Sequence, residues 1–202
     1  MIETRIAPKN ESFPQRLRWT RTLRNFLADN GLLDEGHELI DGEMFLKLPK
    51  RPPHRIALWL LQQWLITLFG AAFVQQKGGI ELPGAEGETS EPEPDLAVTL
   101  APTTDYVQSN PGPQDIALIA EVSNTTLAFD LEVKAPLYAR VGIPEYLVLD
   151  VAGRQIHRHR QPTQAGYADI VIVSENETLT LLSRTESVRV GNLLPPAPAA
   201  PA

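Results

Sequence analysis

The sequence predicts a single α/β domain. Three observations carry this. The run Ile116-Ala117-Leu118-Ile119-Ala120-Glu121-Val122 has the length and continuous apolarity of a strand buried on both faces. Two segments, Ile56 to Phe69 and Asp130 to Val141, are helical in tendency and fall on either side of it in sequence. After Gly153 come several short β-type runs at the spacing of an antiparallel meander. The length of 202 residues gives one domain with a real core and leaves little room for a second.

Each element follows from local chemistry. Residues 1–15 carry two prolines and no period, and are expected to be an N-terminal arm; the domain is expected over residues 16–192. Leu17, Leu23, Phe26 and Leu27, with arginines between them, predict a short basic amphipathic helix that Gly31 ends. Asp41-Gly42 lies between two apolar runs and predicts a hairpin. The segment from Ile56 to Val74 has 19 residues and no charge. A membrane span is disfavoured by the adjacent amides Gln62 and Gln63 and by Gly70. The remaining ~14 residues at 1.5 Å rise cover roughly 21 Å of a ~30 Å core. A buried or interface helix is expected instead, with Trp59 and Trp64 as a contact in a homodimer. Phe73 to Leu82 reads as a strand broken by Gly78-Gly79, residues 83–94 as a loop, Asp95 to Val98 and Glu145 to Asp150 as strands. Gln155–Arg160, Tyr167–Val173, Thr178–Leu182 and Ser187–Val190 form the meander, and residues 193–202 a disordered Pro/Ala tail.

Composition narrows function. Hydrophobic residues make up 43% and charged residues 21%, ordinary globular usage. There is no cysteine, so disulfides and thiolate metal sites are excluded. No secretory pattern opens the chain, and a cytoplasmic protein is expected. The net charge of −7 opposes tight non-specific binding to nucleic acid. The charges are segregated, however. Arg16, Arg18, Arg21 and Arg24 fall in one stretch, and Glu81, Glu86, Glu88, Glu91, Glu93 and Asp95 in another.

Three residues stand out chemically. Asp95 opens a strand after Pro94, whose ring stiffens the approach. Glu121 ends a buried run, where a carboxylate is costly unless it is paired or binds a metal. Lys134 shares a helix side with Leu131 and Tyr138 and points toward the sheet. Pro136 cannot bond back to Glu132, which predicts a bent first turn and a regular helix from Ala135. In a mechanism built on these residues, Asp95 and Glu121 hold Mg²⁺ (or Mn²⁺), and Lys134 polarises a water and offsets negative charge. The alternatives are a solvated acidic loop for Asp95, an edge-facing surface residue for Glu121 and a snorkelling lysine for Lys134.

The segments Pro92-Glu93-Pro94-Asp95-Leu96-Ala97-Val98, Ala120-Glu121-Val122-Ser123, Asp130 with Lys134, and Leu137 through Tyr146 occur in order. With Glu38 to Glu43 and His54, they resemble the Uma-two family of restriction endonucleases, from about residue 20 to residue 190. The resemblance implies the PD-(D/E)xK restriction-endonuclease-like fold: a mixed central β-sheet flanked by helices, with C-terminal antiparallel strands. It implies metal-dependent hydrolysis of DNA. Asp95 matches the Asp of the PD element and Glu121 the second acidic residue. Ser123 stands where the strict motif has Lys, and the lysine's place is Lys134 on the following helix. Glu43 matches an acidic position that approaches the site from the hairpin. His54 is open between capping, packing and catalysis. Leu147 departs from the Trp common in the family and bears on packing. A competing reading is a non-catalytic module that keeps the fold and acts through a partner.

Overall fold

The computed structural model describes residues 17–34, 36–182 and 184–197. The predicted arm 1–15, Arg16 and the last residues of the predicted tail lie outside them. Helix α1 spans Arg21–Asp29, later than its apolar pattern suggested. Thr20 sets the start, because its Oγ1 accepts the Leu23 N–H at 3.2 Å. Strands β1 (His37–Ile40) and β2 (Glu43–Leu46) form the expected hairpin. Asp41 and Gly42 both take positive φ, 48° and 75°, as a twist-matched two-residue turn requires.

The central sheet has six strands, in the order β3-β4-β5-β6-β7-β8. They are β3 (Val74–Gln76), β4 (Leu96–Thr99), β5 (Ile116–Ser123), β6 (Glu145–Asp150), β7 (Gln155–Thr163) and β8 (Gly166–Ser174). Only β5 and β6 run parallel, and the helical segment 127–140 makes the crossover that a parallel pair needs. Period-two alternation sorts the side chains onto two faces. Leu118, Ala120, Val122, Leu147 and Leu149 meet helix α2 (Pro52–Phe69) through Ala57, Leu58, Leu61 and Leu65. Ile119, Tyr146 and Val148 meet Leu137, Tyr138 and Ala139 on the other face. Glu121 shares that second face with Ile119. No helix among the described residues is long and apolar enough to cross a membrane.

Several expectations need correction. The strand proposed over Phe73–Leu82 is confined to Val74–Gln76 at the sheet edge. Part of the predicted loop 83–94 is instead a short helix, α3 (Gly84–Thr89). It seats tightly: a Cβ at Gly87 would lie 2.1 Å from the Leu82 carbonyl oxygen. The meander is incomplete. Strands β7 and β8 extend the sheet, whereas β9 (Thr178–Thr180) and β10 (Ser187–Arg189) pair only with each other. Of the two tryptophans of α2, Trp64 packs against the core and Trp59 is exposed.

The tail predicted to begin at residue 193 begins in the core. Leu193, Leu194 and Pro195 are buried, and Arg154 donates to the Pro195 carbonyl at 3.1 Å. The proline–alanine composition of residues 195–202 hid two leucines that complete the α2 face. Leu193→Ala should therefore lower unfolding free energy by about 2–5 kcal/mol in urea titration. A tail residue would give no measurable change.

Candidate active site

The site lies where β4 enters the sheet beside the far end of β5. Asp95 immediately precedes β4, and Glu121 lies in β5, one strand over. The two are locked together through the backbone. The Asp95 N–H donates to Glu121 Oε2 at 3.1 Å, and the Val122 N–H donates to Asp95 Oδ2 at 3.0 Å. Each carboxylate is thus fixed by the other's strand, and register alone sets their spacing.

Lys134 comes from the crossover helix, which is irregular there. A short α-helical turn (α4, Leu127–Phe129) leads into a π-wound stretch at Asp130–Lys134, and regular helix (α5, Ala135–Arg140) resumes after it. The Ala135 N–H reaches back five residues to the Asp130 carbonyl. Pro136 explains the position of the change, since it supplies no N–H to a regular turn. Lys134 is buried, 5% exposed, and its Nζ donates to Glu121 Oε1 at 2.8 Å. It also pairs with Glu38 Oε1 at 3.1 Å. Asp130 is buried nearby, with Thr126 donating to its Oδ2 at 3.0 Å.

Asp95, Glu121 and Lys134 are therefore brought together. Glu43 is not: it is exposed near the hairpin tip. The hairpin carboxylate that reaches the site is Glu38, which is buried, holds Lys134 and accepts the Glu93 N–H at 3.0 Å. His54, near the start of α2, is buried with Nε2 3.2 Å from Asp95 Oδ2, so it touches the cluster. Lys50 pairs with Asp95 Oδ1.

The electrostatics are uneven. Burial pushes the Glu121 carboxyl up to about 8 against the pull of Lys134, and the charges of Asp95, Asp130 and Glu38 add to the rise. Burial likewise raises Asp130 to about 6, with Lys134 opposing. Burial acts to raise Asp95 too, but the His54 hydrogen bond and the Lys50 charge outweigh it and hold Asp95 well below the usual carboxylate range. Lys134 rises well above its ordinary value: burial favours the neutral amine, yet Glu121 and Glu38 overcome it. Lys134 therefore stays an ammonium, a donor and a positive charge, and does not serve as a base.

Asp95, Glu121 and Lys134 line one cleft of about 1590 Å³. Its wall also carries Arg24, Lys47, Lys50, Arg51, Arg55 and Lys77. The chain is acidic overall, but its cleft is rimmed by cations, of which sequence reading singled out only Arg24. Lys47 meets Glu93 and Arg24 meets Glu91 at 3.1 Å, while Arg51, Arg55 and Lys77 are exposed with no ion-pair partner among the described residues. The arginines after Gly153 are engaged elsewhere. Arg154, Arg158 and Arg160 pair with Glu175, Asp169 and Glu145. Arg154 lies in the turn before β7, with φ 54°. His157 and His159 are buried on the opposite face from Arg158 and Arg160.

The mixed six-stranded sheet flanked by helices has the restriction-endonuclease-like fold, with the acidic pair and the lysine at the mouth of its cleft. The chain belongs to the Uma2 family, described as putative restriction endonuclease, whose profile matches residues 32–190. No curated protein matches it. Among solved structures it is similar to a protein of Anabaena variabilis described as a putative nuclease belonging to DUF820. The identity is 10% and the TM-score 0.58, over 78% of this chain and 88% of that one. At that identity the likeness concerns the fold.

Proposed function

We propose that the protein is a divalent-metal-dependent endonuclease that hydrolyses DNA phosphodiester bonds at the Asp95–Glu121–Lys134 cluster. The observation that carries the reading is the buried hydrogen bond from Lys134 to Glu121, one backbone hydrogen bond from Asp95, at the wall of a cation-rimmed cleft.

The donor set suits a hard cation of the Mg²⁺ type. Asp95 Oδ1 already takes an ammonium, that of Lys50, and Glu121 holds a proton that a divalent charge would displace. No group of three or more acidic or histidine side chains suited to a metal forms among the described residues. Mg²⁺ commonly takes one or two protein carboxylates and completes its octahedron with water and substrate oxygens. A bound ion would offset phosphate charge and acidify a water. The chain's own residues do the rest. Lys134 donates one N–H to Glu121, stands 3.1 Å from Glu38 as its counter-ion, and keeps donor capacity for a water or phosphate oxygen. His54 and the Val122 N–H fix the direction of Asp95. Arg51, Arg55 and Lys77 are placed to hold flanking phosphates.

Supercoiled plasmid incubated with the protein should be nicked or linearised in Mg²⁺ or Mn²⁺ and left intact in EDTA. Intact plasmid under every condition, with partner proteins absent, would favour the non-catalytic module. Metal binding should also release protons. With Glu121 raised to about 8, that carboxyl is mostly protonated at pH 7. The ion must displace the proton, so about one proton leaves per ion at pH 7. Affinity climbs with pH and levels off above pH 8. Calorimetry in buffers of different ionisation enthalpy reads this directly, and a pH-independent affinity from 6 to 9 would contradict it.

A further inference from the structure

We infer that Trp59 is a base-stacking residue, and that the cleft takes DNA with unpaired bases in preference to intact duplex. The inference rests on the nuclease reading above and adds the class of substrate to it.

Trp59 is 58% exposed although it sits on an apolar helix that carries part of the core. Its neighbour Trp64 is packed against the core, so exposure is a property of the position and not of the residue type. Trp59 lines the same cleft as Asp95 and Glu121. Arg55 and Trp59 lie four residues apart on one side of α2, about 6 Å along the axis, and Arg51 is the residue that leads into the helix. Gln62 continues the cleft wall one turn further. Two unpaired cations followed by an exposed indole make the combination that single-strand binding uses, with charge along the backbone and an aromatic face for a base. The other rings of this cleft are not offered in the same way: Phe45 and Phe129 pack on each other at 4.6 Å.

A duplex cannot use such a face. Its bases are stacked on one another and show only their edges in the grooves. An indole can cover a base only where the strand is unpaired or unstacked. Single strands, flaps and loops meet that condition.

The test measures anisotropy of a labelled oligonucleotide, single-stranded or as blunt duplex, with Mg²⁺ present. Asp95→Asn serves as background so that nothing is cut. The single strand should bind more tightly than the duplex. Trp59→Ala should weaken single-strand binding by about tenfold or more, as loss of one stacked base implies. Duplex binding should hardly change, and Trp59→Phe should keep most of the single-strand affinity. Equal affinity for the two DNAs, or a Trp59→Ala effect that is nil or the same on both, overturns the inference and leaves the nuclease reading standing. If Trp59→Ala turns a dimer into a monomer by light scattering with oligonucleotide affinity unchanged, the indole is a contact between copies and the inference fails. If neither DNA binds, the nuclease reading fails with it.

Discussion

Asp95→Asn should lower cleavage by at least about 10³-fold while leaving the fold intact. Asn has nearly the same shape, and its carbonyl oxygen can still accept the Val122 N–H that fixes Asp95. The mouth of β4 therefore keeps its form, and circular dichroism should not change. What is lost is charge. Asp95 is the carboxylate held ionised at every working pH, by His54 and Lys50 against the cost of burial. An amide at that position leaves Glu121 as the one remaining carboxylate of the pair. The remaining oxygens then carry little of the negative charge a divalent ion needs. Single-turnover cleavage measures the loss. A variant cutting within tenfold of wild type would remove Asp95 from the chemistry.

The second large effect is at Lys134. Lys134→Met should lose both stability and cleavage, for one reason. Glu38 and Glu121 are each about 5% exposed and share one ammonium. Removing one member of such a buried group costs about 3–5 kcal/mol, because charge is left without a partner. Urea titration of the metal-free protein should show that loss, and Mg²⁺ should restore part of it by standing in as the cation. Cleavage should not return with it, since the remaining N–H donor is gone; a fall of about 10²–10³-fold is expected. Recovery of stability together with full cleavage in Mg²⁺ would reduce Lys134 to a structural counter-ion. Glu43→Gln is the control, and being exposed it should change neither quantity.

The central pieces of this site were legible in sequence for physical reasons. Glu121 stood out because a carboxylate ending a continuous apolar strand needs a partner. Lys134 stood out because helical spacing put a lysine on a core-facing side. Pro136 foretold the bend, and the structure places the π-wound turn just before it. The sheet was legible in its central strands, where apolar length is unambiguous. It was illegible at the edge, where three residues of β3 do not make a pattern.

The misplaced hairpin carboxylate has a different cause. Glu38 and Glu43 lie on the same face of the hairpin, because Ile40 lies opposite Glu43 and two residues from Glu38. Periodicity cannot separate them. Depth does, and depth is set by docking: the Glu91 N–H bonds the Leu39 carbonyl at 2.8 Å, and the Gly42 N–H bonds the Thr89 carbonyl at 2.8 Å. Those contacts join segments some fifty residues apart. The basic rim was hidden likewise. Lys50, Arg51 and Arg55 are scattered around prolines, and Lys77 lies beyond a helix. Net charge averages over the surface that the fold divides, so −7 and a cationic cleft coexist.

The most direct test of the central claim is calorimetric titration of Mg²⁺ and Mn²⁺ into the metal-free protein, wild type beside Asp95→Asn and Glu121→Gln. Wild type should bind the ion, and either substitution should weaken binding by at least about tenfold. No heat of binding to wild type, or unchanged affinity in both variants, would contradict it.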